Sequence, residues 1–204
     1  SYELALIQAK AENKVVFVAV NMDGERANDR MVKDVYRDKL ITKLAAETIN
    51  LVASNNTHGS SRTCSRFGSI PCVEHRQVDV AVRANVLAPD ADGFVIAPQH
   101  VFLAPDGHTI LSVPYGVSEA ELEWCFVTAM RSVNEDLSIK MSSKARPPAR
   151  LVMDGVFEGA GGASSQPLTR EEALDLIKEL KKGRAESMQE KIKVFAMADE
   201  PEAR

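Results

Sequence analysis

The run from Lys14 to Val20 is continuous, apolar and rich in β-branched residues, the pattern of a strand covered on both faces. Upstream, Tyr2 to Asn13 shows helical spacing, with Leu4, Ile7 and Ala11 expected on its inner face. The strand is broken by Asn21-Met22-Asp23-Gly24, and a helix is expected from Asn28, which would serve as its N-cap. Met31, Val32, Val35 and Tyr36 would form the buried stripe of that helix. Ile41 to Glu47 predicts a further helical turn or two, and Ile49 to Ala53 a second strand.

From Asn55 to Pro71 the periodicity disappears, and Asn, Thr, Gly and Ser dominate, as in a loop. Pro71 fits the first position of a helix that continues through His75, Val78, Val82 and Val86. A polar turn from Pro89 to Gly93 follows. Ala97-Pro98 then leads into a short apolar strand that the Pro105-Asp106-Gly107 turn joins to a second one beginning at Thr109. Proline cannot donate to a sheet ladder, so Pro98 belongs at a strand's first position or in a bend, where a cis bond is tolerated. Asp106-Gly107 supplies the hairpin turn. Ser118 with Glu121 forms a capping box for a helix whose inner face is Leu122, Cys125, Phe126, Ala129 and Met130.

This order of elements and the Pro98 hairpin resemble the thioredoxin-like proteins over about Tyr2 to Val133. The resemblance implies an α/β fold, a mixed sheet flanked by helices, with Pro98 as a structural residue beside the functional site. Redox-active members carry Cys-x-x-Cys between the first core strand and the next helix, where the helix N-terminus lowers a thiol pKa. Here that place holds Asp23-Gly24-Glu25-Arg26-Ala27-Asn28-Asp29-Arg30. No thiolate is available there.

Beyond residue 134 the chain turns polar. We expect a thioredoxin-like domain over 1–134, a linker or extended arm over 135–168, and a helical C-terminal extension over 169–204. Thr169 with Glu172 caps a helix carrying Ala173, Leu176, Ile177 and Leu180, with Gly183 at its end, and Met188, Ile192 and Phe195 mark another. Helices of this kind bury little alone, so they are expected to dock on the domain itself, on a protein partner or on a second copy of the chain.

The candidate chemistry lies in Cys64-x7-Cys72-x2-His75. On a helix starting near Pro71, Cys72 and His75 share a face. His100, two residues past Pro98, is expected to complete a ligand set of Cys64, Cys72, His75 and His100. Two thiolates and two imidazoles suit zinc first, with copper or an iron–sulfur cluster as alternatives. The ion would have a structural or metal-handling role. Two other readings stand beside it: a thiol–disulfide oxidoreductase using Cys64 and Cys72, and a redox-silent scaffold subunit. His58 reads as a solvated loop histidine, with a fifth metal donor as its other role, and Cys125 as a buried structural thiol. The group Asp23, Glu25 and Asp29 reads as solvated charge.

Charge narrows the partners. With 25 basic against 29 acidic residues and a formal net charge of -4, the chain carries no nucleic-acid footprint. No apolar run reaches the roughly 20 residues that a membrane span requires. A soluble protein is expected. The compartment stays open: no basic stretch followed by an apolar core opens the chain, yet a start at Ser1 is compatible with a removed leader.

Overall fold

The computed structural model describes residues 1–59, 63–87, 89 and 92–153, and the backbone alone at 156–157 and 163–164. The chain divides into two units, Ser1–Asp154 and Gly155–Arg204. In the second, β6 (Val156–Phe157) and β7 (Ala163–Ser164) pair antiparallel. The helices and partner contacts expected over 169–204 lie outside the described residues.

The first unit is built on β1 (Val16–Val20), all of whose residues are buried. It pairs in parallel with β2 (Ile49–Ala53) and antiparallel with β3 (Gln99–Leu103), setting Val18 between Leu51 and Val101. Next come β4 (Thr109–Pro114), antiparallel to β3, and the short β5 (Val152–Met153), which gives the order β2-β1-β3-β4-β5. Side chains alternate across a strand, so β1 feeds two cores. Phe17 and Ala19 join Met31, Val35, Ile41, Leu44, Phe102, Leu122 and Phe126 beneath α2 (Arg26–Lys33), α3 (Lys39–Ala45) and α5 (Glu119–Val133). Val16, Val18 and Val20 join Tyr2, Ala5, Ala9, Val78 and Val82 beneath α1 (Tyr2–Glu12) and α4 (Cys72–Asn85). This is a thioredoxin-like fold: a mixed sheet with helices on both faces, and a cis Ala97–Pro98 bond at the entry to β3.

Two local expectations are corrected. Leu4 and Ile7 are each 65% exposed, and α1 instead buries Tyr2, Ala5 and Ala9. Small alanines let the helix backbone lie close to the sheet, and that close approach outweighs the pull of the larger aliphatics. Asn28 is not an N-cap. Helix α2 begins at Arg26 with Glu25 as its cap, while Asn28 is fully buried and its Oδ1 accepts the Met22 N–H at 2.9 Å. The capping box at Ser118 and Glu121 forms as expected.

After α5 the chain stays on the first unit. Leu137, Ile139 and Met141 pack against the core, and Leu151 is fully buried in it. The buried Glu123 carboxylate accepts the Ser142 N–H at 2.6 Å and its hydroxyl at 2.7 Å.

Candidate metal centre

Three segments meet at one end of the sheet: the turn after β1, the connection that follows β2, and the first turn of α4. Pro71 has extended backbone and ends that connection, so α4 starts at Cys72 and places His75 on the same helical face. His75 is completely buried. Its Nδ1 lies 2.7 Å from the Ser54 carbonyl at the end of β2. A carbonyl oxygen only accepts, so Nδ1 carries the proton and Nε2 presents a lone pair. That Nε2 is buried and has no hydrogen-bond partner.

His58 is held in the complementary way. Its Nε2 sits 3.0 Å from the Asp23 carboxylate, which requires the proton there, and its Nδ1 lies 3.2 Å from Cys64 Sγ and 3.8 Å from Cys72 Sγ. Cys64 opens a tight turn closed by paired backbone bonds with Gly68 at 2.8 Å, where Gly68 takes a φ of 71° that favours glycine. Within that turn the N–H groups of Arg66 and Phe67 point at Cys64 Sγ at 3.4 and 3.3 Å. The His58 N–H donates to Cys72 Sγ at 3.2 Å. Phe67 covers the group, with its ring edge-on to both His58 and His75. The Cys72 thiol is pulled down to about 6, first by the His58 backbone N–H, with burial opposing.

The outcome is a compact group of His58, Cys64, Cys72 and His75 whose ligand atoms all lie within 4.8 Å of one another. Of the residues expected from sequence, Cys64, Cys72 and His75 are brought together. His100 is not among them. It is fully buried, stacks on Phe17, and has its Nε2 2.9 Å from the Tyr36 hydroxyl. The strand explains this: Phe17 and Phe102 flank the same core, and β3 directs His100 into it rather than toward α4. The fourth place is taken by His58, which sequence reasoning set aside as solvated. Its side chain is only 9% exposed. The signal was its position, one residue before Gly59 and on the same connection as Cys64.

The remaining candidates have ordinary roles. Cys125, like Cys64 and Cys72, forms no disulfide. Cys125 is fully buried on α5, and burial, then the Glu121 charge, pushes its thiol up. Asp29 holds Lys33 and Arg66. No helix among the described residues is long and apolar enough to cross a membrane.

The fold and the group together define a thioredoxin-like domain with a Cys/His cluster in place of a Cys-x-x-Cys pair. Neither a family model nor a curated protein matches the chain. Solved structures do. The chain is similar to a DsbH oxidoreductase at 14% identity and TM-score 0.41, over 67% of this chain and 83% of that one. It is similar to a thioredoxin from Thermus thermophilus at 18% identity and TM-score 0.42, over 68% and 93%. A disulphide isomerase from Xylella fastidiosa Temecula1 aligns at 17% identity and TM-score 0.35, over 59% and 73%.

Proposed function

We propose that this protein binds one transition-metal ion, zinc first, through His58 Nδ1, Cys64 Sγ, Cys72 Sγ and His75 Nε2, and that the ion has a structural role. The observation that carries this reading is the orientation of the imidazoles. Each has one nitrogen engaged by an oxygen acceptor, which leaves the other as its ligand atom: His58 Nδ1, beside both sulfurs, and the buried, unpartnered His75 Nε2. Such outer partners are what metal-bound histidines require.

Magnitudes favour a single ion. Zinc sits about 2.3 Å from sulfur and about 2.0 Å from nitrogen, so tetrahedral donors stand roughly 3.3–3.8 Å apart. Distances of 3.2 and 3.8 Å from His58 Nδ1 to the two sulfurs agree with that spacing. A two-iron cluster would segregate both sulfurs on one iron and both nitrogens on the other. Here His58 Nδ1 is interleaved with the sulfurs. Tetrahedral mixed sulfur and nitrogen ligation suits zinc, whereas copper(II) prefers tetragonal sites. Four protein donors also leave no open position, as in structural centres, and Cys64, Cys72 and His75 are buried.

Elemental analysis of the purified full chain tests the reading. About one zinc per chain is expected, falling to a small fraction in Cys72→Ser. Full occupancy retained in Cys72→Ser, or no transition metal in the parent protein after zinc loading, would overturn it.

A further inference from the structure

Asp23 and Arg66 stand outside the four donors, yet they meet the group at its one partly exposed member. The Asp23 carboxylate faces His58 Nε2 at 3.0 Å and Arg66 Nε at 3.3 Å, and Arg66 Nη1 reaches Asp29 at 2.7 Å. The backbone N–H of the same Arg66 points at Cys64 Sγ. Asp23 is itself fixed by its own N–H, which donates to Asn56 Oδ1 at 2.9 Å. One side chain from the turn after β1 thus reads both ends of the His58–Arg66 segment.

We propose that Asp23 is a positioning residue for ion binding, resting on the metal reading above: it holds His58 in the tautomer and ring orientation that present Nδ1 to the sulfurs. The physical reason is that a free imidazole places its proton on either nitrogen, and only the Nε2–H form offers Nδ1 as a ligand. His75 obtains the same restraint from a backbone carbonyl, which mutation cannot remove. His58 depends on a side chain, so its alignment is the one that substitution can uncouple. The carboxylate also raises the donor strength of the ring. Arg66 steers Asp23 from the opposite side, with Asp29 as its outer anchor.

The test compares zinc affinity, by competition with a chromophoric chelator, in the full-length parent, Asp23→Ala, Asp23→Asn and Asp29→Ala proteins. Cobalt(II) absorption in each reports tetrahedral geometry. Loss of an outer partner of this kind weakens metal binding by about 10–100-fold. Asp23→Ala should lose that much and show a weakened or shifted cobalt band. Asp23→Asn, which keeps an acceptor oxygen, should recover part of both. Asp29→Ala removes only the outer anchor and should cost clearly less. An Asp23→Ala affinity within about threefold of the parent, or an equal loss in Asp29→Ala, would overturn the proposal while leaving the metal centre intact. Failure of the parent itself to bind zinc or cobalt would overturn both. Melting of each variant in excess chelator identifies any that does not fold, and Asp23→Asn then carries the comparison with Asp29→Ala.

Discussion

Burial of His100 makes a quantitative prediction about acid stability. Its ring is fully buried, stacked on Phe17 and bonded to Tyr36, and its strand β3 runs between β1 and β4. Burial depresses its pKa to about 4 from an ordinary 6.5, with the Val113 backbone opposing. The folded state therefore holds a neutral ring that the unfolded chain protonates more readily. Between about pH 6.5 and pH 4 the unfolded state binds the extra proton, so stability falls as the pH falls. At about 1.4 kcal/mol per unit of pKa, the loss comes to about 3.5 kcal/mol across that window and stops below it. Against a typical domain stability of about 5–15 kcal/mol this is a large share. Urea titrations at several pH values, all in excess chelator, would measure it for the parent and for His100→Gln. The variant is expected to be less stable at pH 7 but to lose about 2–3 kcal/mol less on acidification to pH 4.5. Parallel pH slopes for the two proteins would refute the argument, whatever their absolute stabilities.

Stripping the ion should lower the melting temperature. At free zinc about a thousand times Kd, binding contributes about 4 kcal/mol, which corresponds to roughly 8–16 °C for a domain of this size. A chelator that leaves Tm unchanged contradicts the metal reading. Proteolysis of the stripped protein should begin within residues 55–71, mapped by mass spectrometry, and initial cleavage elsewhere would count against the loop being the segment released. In the chelated protein two of the three cysteines should react with a thiol reagent, and Cys125, buried and with its thiol pushed up, only on unfolding. Leu151→Ala should cost about 2–5 kcal/mol in urea denaturation, because the side chain is fully buried in the α5 core. A cost below about 0.5 kcal/mol would mark residues 135–151 as a passive linker.

The strands and most helices were legible because their signals are local. The continuous apolar run of Val16–Val20, the capping box at Ser118 and the Asp106-Gly107 turn each specify geometry within a few residues. The pairing of Cys72 with His75 was readable for the same reason: Pro71 fixes where α4 begins, and helical spacing does the rest. The fourth member of the Cys/His group was not. Which histidine closes the group depends on the path of the connection around Cys64 and on an anchor at Asp23, many residues away. His100 has the right chemistry but the wrong strand parity, and parity only becomes decisive once β3 is in register with β1. The face of α1 failed for a related reason: packing against a sheet rewards close approach by Ala5 and Ala9 over the bulk of Leu4 and Ile7.

On the proposed metal reading, the connection between β2 and α4 gives the ion an energetic role. Among its described residues from 55 to 71, Cys64 alone is buried. Ordering a backbone costs about 1–2 kcal/mol per residue, and so little buried apolar surface cannot offset that for the whole segment. Hydrogen bonds at Asn56, at His58 and in the Cys64–Gly68 turn each return only about 1 kcal/mol net. A cross-link closing a loop of about 15 residues is worth roughly 3 kcal/mol through the unfolded state alone. An ion bonded to His58, Cys64, Cys72 and His75 would tie that connection at two points to the first turn of α4. On the proposed reading, the cluster takes the place of a hydrophobic core in the one long connection of the described domain that lacks one. Its buried donors and outer hydrogen bonds suit that structural role better than transfer of the ion to a partner.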